Sequence, residues 1–459
     1  MPDTPTPFRR GAVALCLMLA GAASNAESQT LTEAYRAALA HDPEIAQSLA
    51  ERDAGLENDA LARSLFRPKI QVQANAGYTD TNIDVTVSPL LTGITPPGGT
   101  GVSAGGLVQL QQPIIDGEAS SQRRQLRAGS RAAEAQFDAQ RQQLALRVAQ
   151  AFFDVQRSRD ALATVQAQEA SARREQQAAQ ARFDAGRAKI TDVREAQARG
   201  DGAAAQVVTL TAQVALAGAR YRELTGADPD LVLPLRADVQ PRVPQRSLAD
   251  WQSQSIDTSP VVVARQRQRD AAQAKISQYS WGSQAKVSAV GLYGYSRRSG
   301  GDDDPRSAVR LPDHVSGAFA GVQLRMPLYT GGAVEAQRRQ AAAEARAADR
   351  QVEVAMRDVR LQTQQAWLAQ TSGADKVAAL RTALASAQLQ ERAAITGREV
   401  GVRTQSDVIA AQAQTFDIRR QLGDAMRDYE LARLQLHAAG GGLTEERLAE
   451  IDADLQPTS

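Results

Sequence analysis

The sequence predicts a mainly helical chain with a small membrane β-barrel portion, arranged as two structural repeats. Three features predict it: a pattern written twice at a nearly constant offset, four strand-length segments of alternating polarity, and helical stretches too long for a globule. Composition agrees. Of 459 residues, 43% are hydrophobic but only 4% are aromatic, whereas a compact core of this size draws on Phe, Tyr and Trp. Abundant alanine, glutamine and arginine suit long helices packed side by side. The formal net charge is +1, so no basic field points to nucleic acid as a partner.

The repeat is read from three collinear blocks. Asp42-Pro43 recurs as Ser259-Pro260, Asp53-Ala54 as Asp270-Ala271, Lys69 as Lys286 and Gly77-Tyr78 as Gly294-Tyr295, each 217 residues on. Pro113 and Gly117 match Pro327 and Gly331 at an offset of 214. Gly186, Asp192-Val193 and Ala196-Gln197-Ala198 match Gly401, Asp407-Val408 and Ala411-Gln412-Ala413 at 215. The small changes in offset fall in loops.

Each repeat reads as helix, strand, loop, strand, long helix, turn, helix. The first helix opens at Thr30, with Glu33 completing a capping box. In the strand that follows, Ile70, Val72, Ala74, Ala76 and Tyr78 share one face and Gln71, Gln73 and Asn75 the other. The return strand alternates Val108 and Leu110 with Gln109 and Gln111; in the second repeat Val322, Leu324 and Met326 alternate with Gln323 and Arg325. Residues 118–185 hold no proline and would extend about 100 Å as one helix. Heptad positions are visible in Phe137, Leu144, Ala151 and Val165 against Val148, Val155 and Leu162. The expected layout places the first repeat at 27–240, with strands at 69–80 and 102–113 and helices at 118–185 and 190–225. The second occupies 241–440, with strands at 285–296 and 315–327 and helices at 332–397 and 404–438. The proline-bearing stretch 225–259 reads as irregular connecting structure, and 441–459 as a C-terminal tail with a short helix.

Residues 1–26 read as a secretory signal peptide: Arg9 and Arg10, then an apolar stretch, then the small residues Ser24-Asn25-Ala26. The sole cysteine, Cys16, lies within that stretch and follows Leu15, which does not suit a lipid-anchor site, so the mature chain is expected to lack thiols. No later run of about 18 apolar residues is found, so a membrane crossing would have to be a β-barrel. Four strands cannot close one, because open edges would leave unpaired backbone groups in lipid; several chains must pool their strands. No enzyme is expected. His41, His314 and His437 are scattered, no catalytic constellation, metal-ligand spacing or phosphate loop is present, and no cofactor is implied.

Phe183-Asp184-Ala185-Gly186 with Ile190-Thr191-Asp192-Val193, and Glu399-Val400-Gly401-Val402-Arg403-Thr404 with Asp407-Val408, resemble the two helix-turn-helix motifs of the TolC family. Tyr221-Arg222-Glu223-Leu224-Thr225-Gly226 is similar to that family's repeat ending, and Pro327-Leu328-Tyr329-Thr330-Gly331-Gly332 to its strand-to-helix junction. The resemblance implies a homotrimer with a 12-stranded β-barrel in outer-membrane lipid and a periplasmic α-barrel. It also implies a passive export channel with a periplasmic adaptor and an inner-membrane transporter as partners; the lack of a lipid-anchor cysteine and the closeness of both turn motifs to the family pattern favour protein export by type I secretion, with an ABC transporter. The gate it implies joins Arg403 to Thr191 and Asp192 of a neighbour at the turns of Gly186 and Gly401. The resemblance also implies that Asp407 lines the constriction. Two departures stand out: Arg398 where the family often has Tyr, and Ala410 where it often has a second Asp. Small-molecule efflux and a structural periplasmic coiled coil or adaptor remain as alternatives at this stage.

Overall fold

The computed structural model describes residues 28–81, 99–299 and 314–456. The leader with Cys16 and most of both strand-connecting loops lie outside the described residues. The first half runs α1 (Leu31–His41), α2 (Pro43–Ser64), β1 (Lys69–Thr81), β2 (Gly99–Asp116), α3 (Gly117–Asp184) and α4 (Ile190–Thr225). The second runs α5 (Leu248–Thr258), α6 (Pro260–Gln278), β3 (Lys286–Ser299), β4 (His314–Arg325), α7 (Ala333–Glu399) and α8 (Gln405–Ala439), followed by α9 (Glu445–Asp452).

Two readings of the sequence are corrected here. The single helix expected before each first strand is two helices, because Asp42 and Ser259 precede prolines that exclude the α conformation from the residue before them. Both caps are extended, with ψ 119° and 122°, and each proline opens the next helix. Second, α5 lies within the stretch read as irregular. Its N-cap Ser247 accepts from Asp250 N, and Trp251 buries one face. α5 begins 217 residues after α1 (248 − 31), so the repeat starts earlier than its matching letters.

The strands form one antiparallel sheet in the order β1-β2-β3-β4. Register places Val72, Val108, Tyr293 and Ala318 in one row, and Ile70, Leu110, Gly291 and Ala320 in the next. That face is apolar across the sheet, and its larger side chains are exposed: Ile70 is 69% and Val72 73% accessible. The other face is mixed: it carries Gln71, Gln73, Gln109 and Gln323 together with Leu107, Val290, Leu292 and Phe319. β1 and β4 are open edges.

α3 and α7, of 68 and 67 residues, fold back as antiparallel pairs with α4 and α8. Toward the sheet, α3 packs instead on α2 and α6. α4 contains a stretch long and apolar enough on average to cross a membrane, although Thr209, Thr211 and Gln213 keep it from being an unbroken apolar run. One side of α4 lies on α3, while Val208 and Leu216 point outward.

The main core lies mid-length, where α1 and α9 pack on α3, α4 and α8. It holds Leu31, Tyr35, Leu144, Val148, Phe152, Phe153, Tyr221, Leu434, Leu448 and Ile451. Phe152 and Phe153 meet edge to face at 5.9 Å, and Tyr221 donates its hydroxyl to Gln29 at 2.7 Å. Asp452 of α9 accepts from the free backbone amides of Leu31 and Thr32 at the start of α1. The tail therefore caps the start of the first helix.

Candidate functional site

The site is the pair of tight turns at the far ends of the long helices. Each is closed the same way. Gly186 adopts φ 69° and Gly401 φ 82°, a left-handed conformation that disfavours any residue with a Cβ. Arg187 N donates to Arg182 O at 2.7 Å, and Val402 N donates to Gly397 O at 2.8 Å. These bonds, reaching back five residues, satisfy carbonyls that the helix end leaves free.

The chain then re-enters a helix three to four residues later, with an aspartate in its first turn. Asp192 accepts from Lys189 N at 3.3 Å. Asp407 accepts from both Thr404 N and Thr404 Oγ1 at 2.8 Å, and Asp407 N donates to Thr404 Oγ1 at 3.2 Å. The Thr404 backbone amide, then its hydroxyl, hold the Asp407 carboxyl below its ordinary value. Asp192 and Asp407 are thus equivalent within the protomer: each accepts from the backbone amide that opens the helix after its turn.

Thr191, Asp192, Arg398 and Arg403 are exposed in the isolated protomer. Thr191 Oγ1 lies 3.5 Å from Asp192 Oδ1. Arg398 donates to the Gln405 side-chain oxygen. Arg403 has no hydrogen bond from its guanidinium to another side chain among the described residues; its aliphatic stem lies over Gly397, where an added Cβ would come within 2.7 Å of Arg403 Cγ. Asp192 lines a cavity of about 260 Å³ with Thr404, Gln405 and Ser406, so the two turns of one protomer stand side by side. The same cavity holds Glu175, Arg182, Glu195 and Arg199. Burial pushes the Glu175 carboxyl above its ordinary value. Gly397, Glu175 and Gln405 escaped the sequence reading. Gly397 could have been noticed as a glycine inside a helical pattern, but the two polar residues carry no local signal. Among the described residues no cluster of His, Cys, Asp or Glu is arranged to hold a metal ion.

This geometry is that of a projecting helical end built from two matching turns. The comparisons agree with it. A family model described as outer membrane efflux protein matches residues 34–227 and 251–442. The chain is 29% identical over 431 residues to the outer membrane protein TolC of Vibrio cholerae, spanning 94% of each. It is 25% identical to the proteases secretion protein PrtF of Dickeya chrysanthemi over 98% of this chain and 96% of that one. In fold it matches the Campylobacter jejuni CmeC outer membrane channel with a TM-score of 0.75 at 14% identity, over 93% and 90% of the two chains. A sheet with an apolar face, a long helical extension and a family model covering both repeats lead to one conclusion: the chain belongs to the outer membrane efflux protein family, whose members are passive outer-membrane channels with a periplasmic tunnel and not enzymes.

Proposed function

We propose that this chain is one protomer of a homotrimeric channel-tunnel that exports proteins by type I secretion. It would dock to a periplasmic adaptor and an ABC-type inner-membrane transporter, which supplies the energy. The observation that carries the assembly is the four-stranded sheet with two open edges and an apolar outer face. Backbone groups at those edges cannot remain unpaired in lipid; three copies would pair them and close a barrel of twelve strands. The outward side of α4 would then meet a neighbouring protomer rather than a bilayer.

For the cargo, support comes from the end-to-end match to a protein named for protease secretion. The resting tunnel would be closed at the two turns by Arg403 gripping Thr191 and Asp192 of a neighbour. An Arg fork on a carboxylate is directional and reversible, which suits a latch. Three copies of Asp407 would ring the axis just inside and attract cations.

Small-molecule efflux is the second reading, favoured by the family's own description. Deleting the gene separates the two. Loss of specific proteins from the culture medium, with drug susceptibility unchanged, is the expected result. An unchanged set of extracellular proteins with raised susceptibility would establish efflux instead.

A further inference from the structure

We propose that the foot of the barrel is an anion-binding belt, built from Lys69 and Arg325 of each copy, that takes the carboxylate groups of a polypeptide in transit. The inference rests on the pooled barrel and the protein export proposed above. It adds a binding site at the opposite end of the long helices from the two turns.

The glutamine-bearing face of the sheet holds its described charges at its foot, where the strands join the helices. Register puts Lys69 in line with Gln111, and nearer the helices Lys286 lies between Asp116 and Arg325. Further up that face the described side chains are uncharged. All four strands reach one cavity of about 290 Å³ at this level, lined by these five residues and by Glu118 at the start of α3. Both carboxylates there are already engaged. Asp116 accepts from Ala119 N at 2.9 Å and so caps α3. Glu118 accepts from Lys286 at 2.6 Å and from Gln278 at 3.0 Å. Lys69 and Arg325 are exposed, and neither side chain has a hydrogen bond or ion pair among the described residues. Each cavity therefore keeps two positive charges unspent.

Closing the barrel concentrates them. Lys69 opens β1 and Arg325 closes β4, the two edge strands, and both stand at the helical end. Where β4 of one copy pairs with β1 of the next, the two cations meet at the seam, and three copies set both residues around the throat. Like charges facing each other across strands repel unless an anion lies between them. Fixed charge of one sign within low-dielectric walls also focuses potential into the passage. The residue types suit a carboxylate: the guanidinium offers a two-pronged donor and the ammonium a mobile point charge. A polypeptide carrying several carboxylates engages several seams at once, which raises occupancy without any tighter single contact. The belt is opposite in sign to the Asp407 ring proposed at the entrance.

The test is block of ionic current through the purified full-length protein in planar bilayers at low salt, with hexaglutamate as the probe. Added on the side of the strand-connecting loops, it reaches the belt without passing the two turns, and is expected to block about tenfold more tightly than free glutamate. Lys69→Gln/Arg325→Gln is expected to weaken that block about tenfold and to lower chloride permeability relative to potassium, read from the reversal potential, about threefold. Lys69→Arg/Arg325→Lys keeps both charges and should retain both properties. Gln71→Glu, one step along the face from Lys69, leaves the two cations in place and should weaken block as well, so the test stands even if the neutral double variant does not assemble. Unchanged block in Gln71→Glu or in the neutral double variant would overturn the proposal. Block of equal strength from either side, or no tighter than that by free glutamate, would also overturn it. A wild-type protein that forms no pore would instead count against the channel reading itself.

Discussion

Arg403 leaves its turn with the stem lying on Gly397 and its guanidinium free of side-chain hydrogen bonds within the described protomer. Asp192, by contrast, already accepts from Lys189 N. Under the proposed latch, Arg403→Ser removes the contact between protomers, the stem over Gly397 and a positive charge that acts on Asp407, whereas Asp192→Ala removes the latch contact together with a helix carboxylate worth about 0.3–1 kcal/mol. Both are expected to raise single-channel conductance, because losing one partner of a partly buried pair costs a few kcal/mol and shifts a two-state closure. The double variant should add little, since both changes remove the same contact. Equal conductance in wild type and Arg403→Ser would place closure on other contacts, with the Arg398–Gln405 pair first among them. Gly397→Ala provides a separate check: its Cβ would displace the Arg403 stem and should reproduce part of the opening with the guanidinium intact.

At the scale of elements, α9 holds the middle of the molecule together through charge as well as apolar packing. Arg433 of α8 donates to Glu430 at 3.0 Å and to Glu450 of α9 at 3.3 Å, and Asp454 lies 3.5 Å away. Glu430 is 1% exposed, and its second oxygen is buried without a hydrogen-bond partner. Burial pushes the Glu430 carboxyl up to about 7, Arg433 offsetting only part of the cost. Its folded pKa is thus above its unfolded one, so the folded chain holds a proton that the unfolded chain has released. The stability this contributes is complete below the ordinary glutamate range and lost as pH rises through about 7. Glu430→Gln keeps an acceptor for Arg433 and removes the titration. In guanidinium unfolding, the variant is expected to match the parent near pH 4 and to exceed it at pH 8 by up to about 3 kcal/mol. A variant less stable than the parent at pH 8 would mean that the ion pair outweighs the burial cost.

The same elements show what could be read from sequence and what could not. The repeat was legible because Gly186 and Gly401, or Pro43 and Pro260, are residues whose backbone demands leave few substitutes. The strands were legible because polarity alternates across a sheet with two different faces. α5 escaped because five prolines nearby suggested a loop. Its own signal, Ser247 three residues before Asp250 with Trp251 following, is short, and its counterpart α1 shares its position but few of its letters. The proposed closing contacts of Arg403, Thr191 and Asp192 rest on family resemblance. Glu175 and Gln405 are ordinary polar residues on helix surfaces, and only the fold brings them to one cavity.

At the scale of the whole molecule, one protomer is visibly incomplete. Ile70, Val72, Val322 and Leu324 are about 70% exposed on the sheet, and so is Val208 on α4. An apolar band of this extent on a sheet with unpaired edges is unstable in water and in lipid alike, for different reasons. Water rejects the side chains, and lipid rejects the edge amides and carbonyls. Lipid accepts the apolar face only after the edges have found partners, so insertion and assembly should be coupled. The expected outcome is a detergent-stable trimer that resists dissociation without heating, with dominant helical and minor sheet circular dichroism. Placing a proline at Val72 in β1 is expected to remove a ladder donor and lower trimer yield. Valine-to-threonine at the same position keeps the backbone and should lower it much less. Native mass measurement in mild detergent distinguishes the species. A folded, membrane-inserted monomer of the parent protein would show that four strands suffice and would sink the pooled barrel.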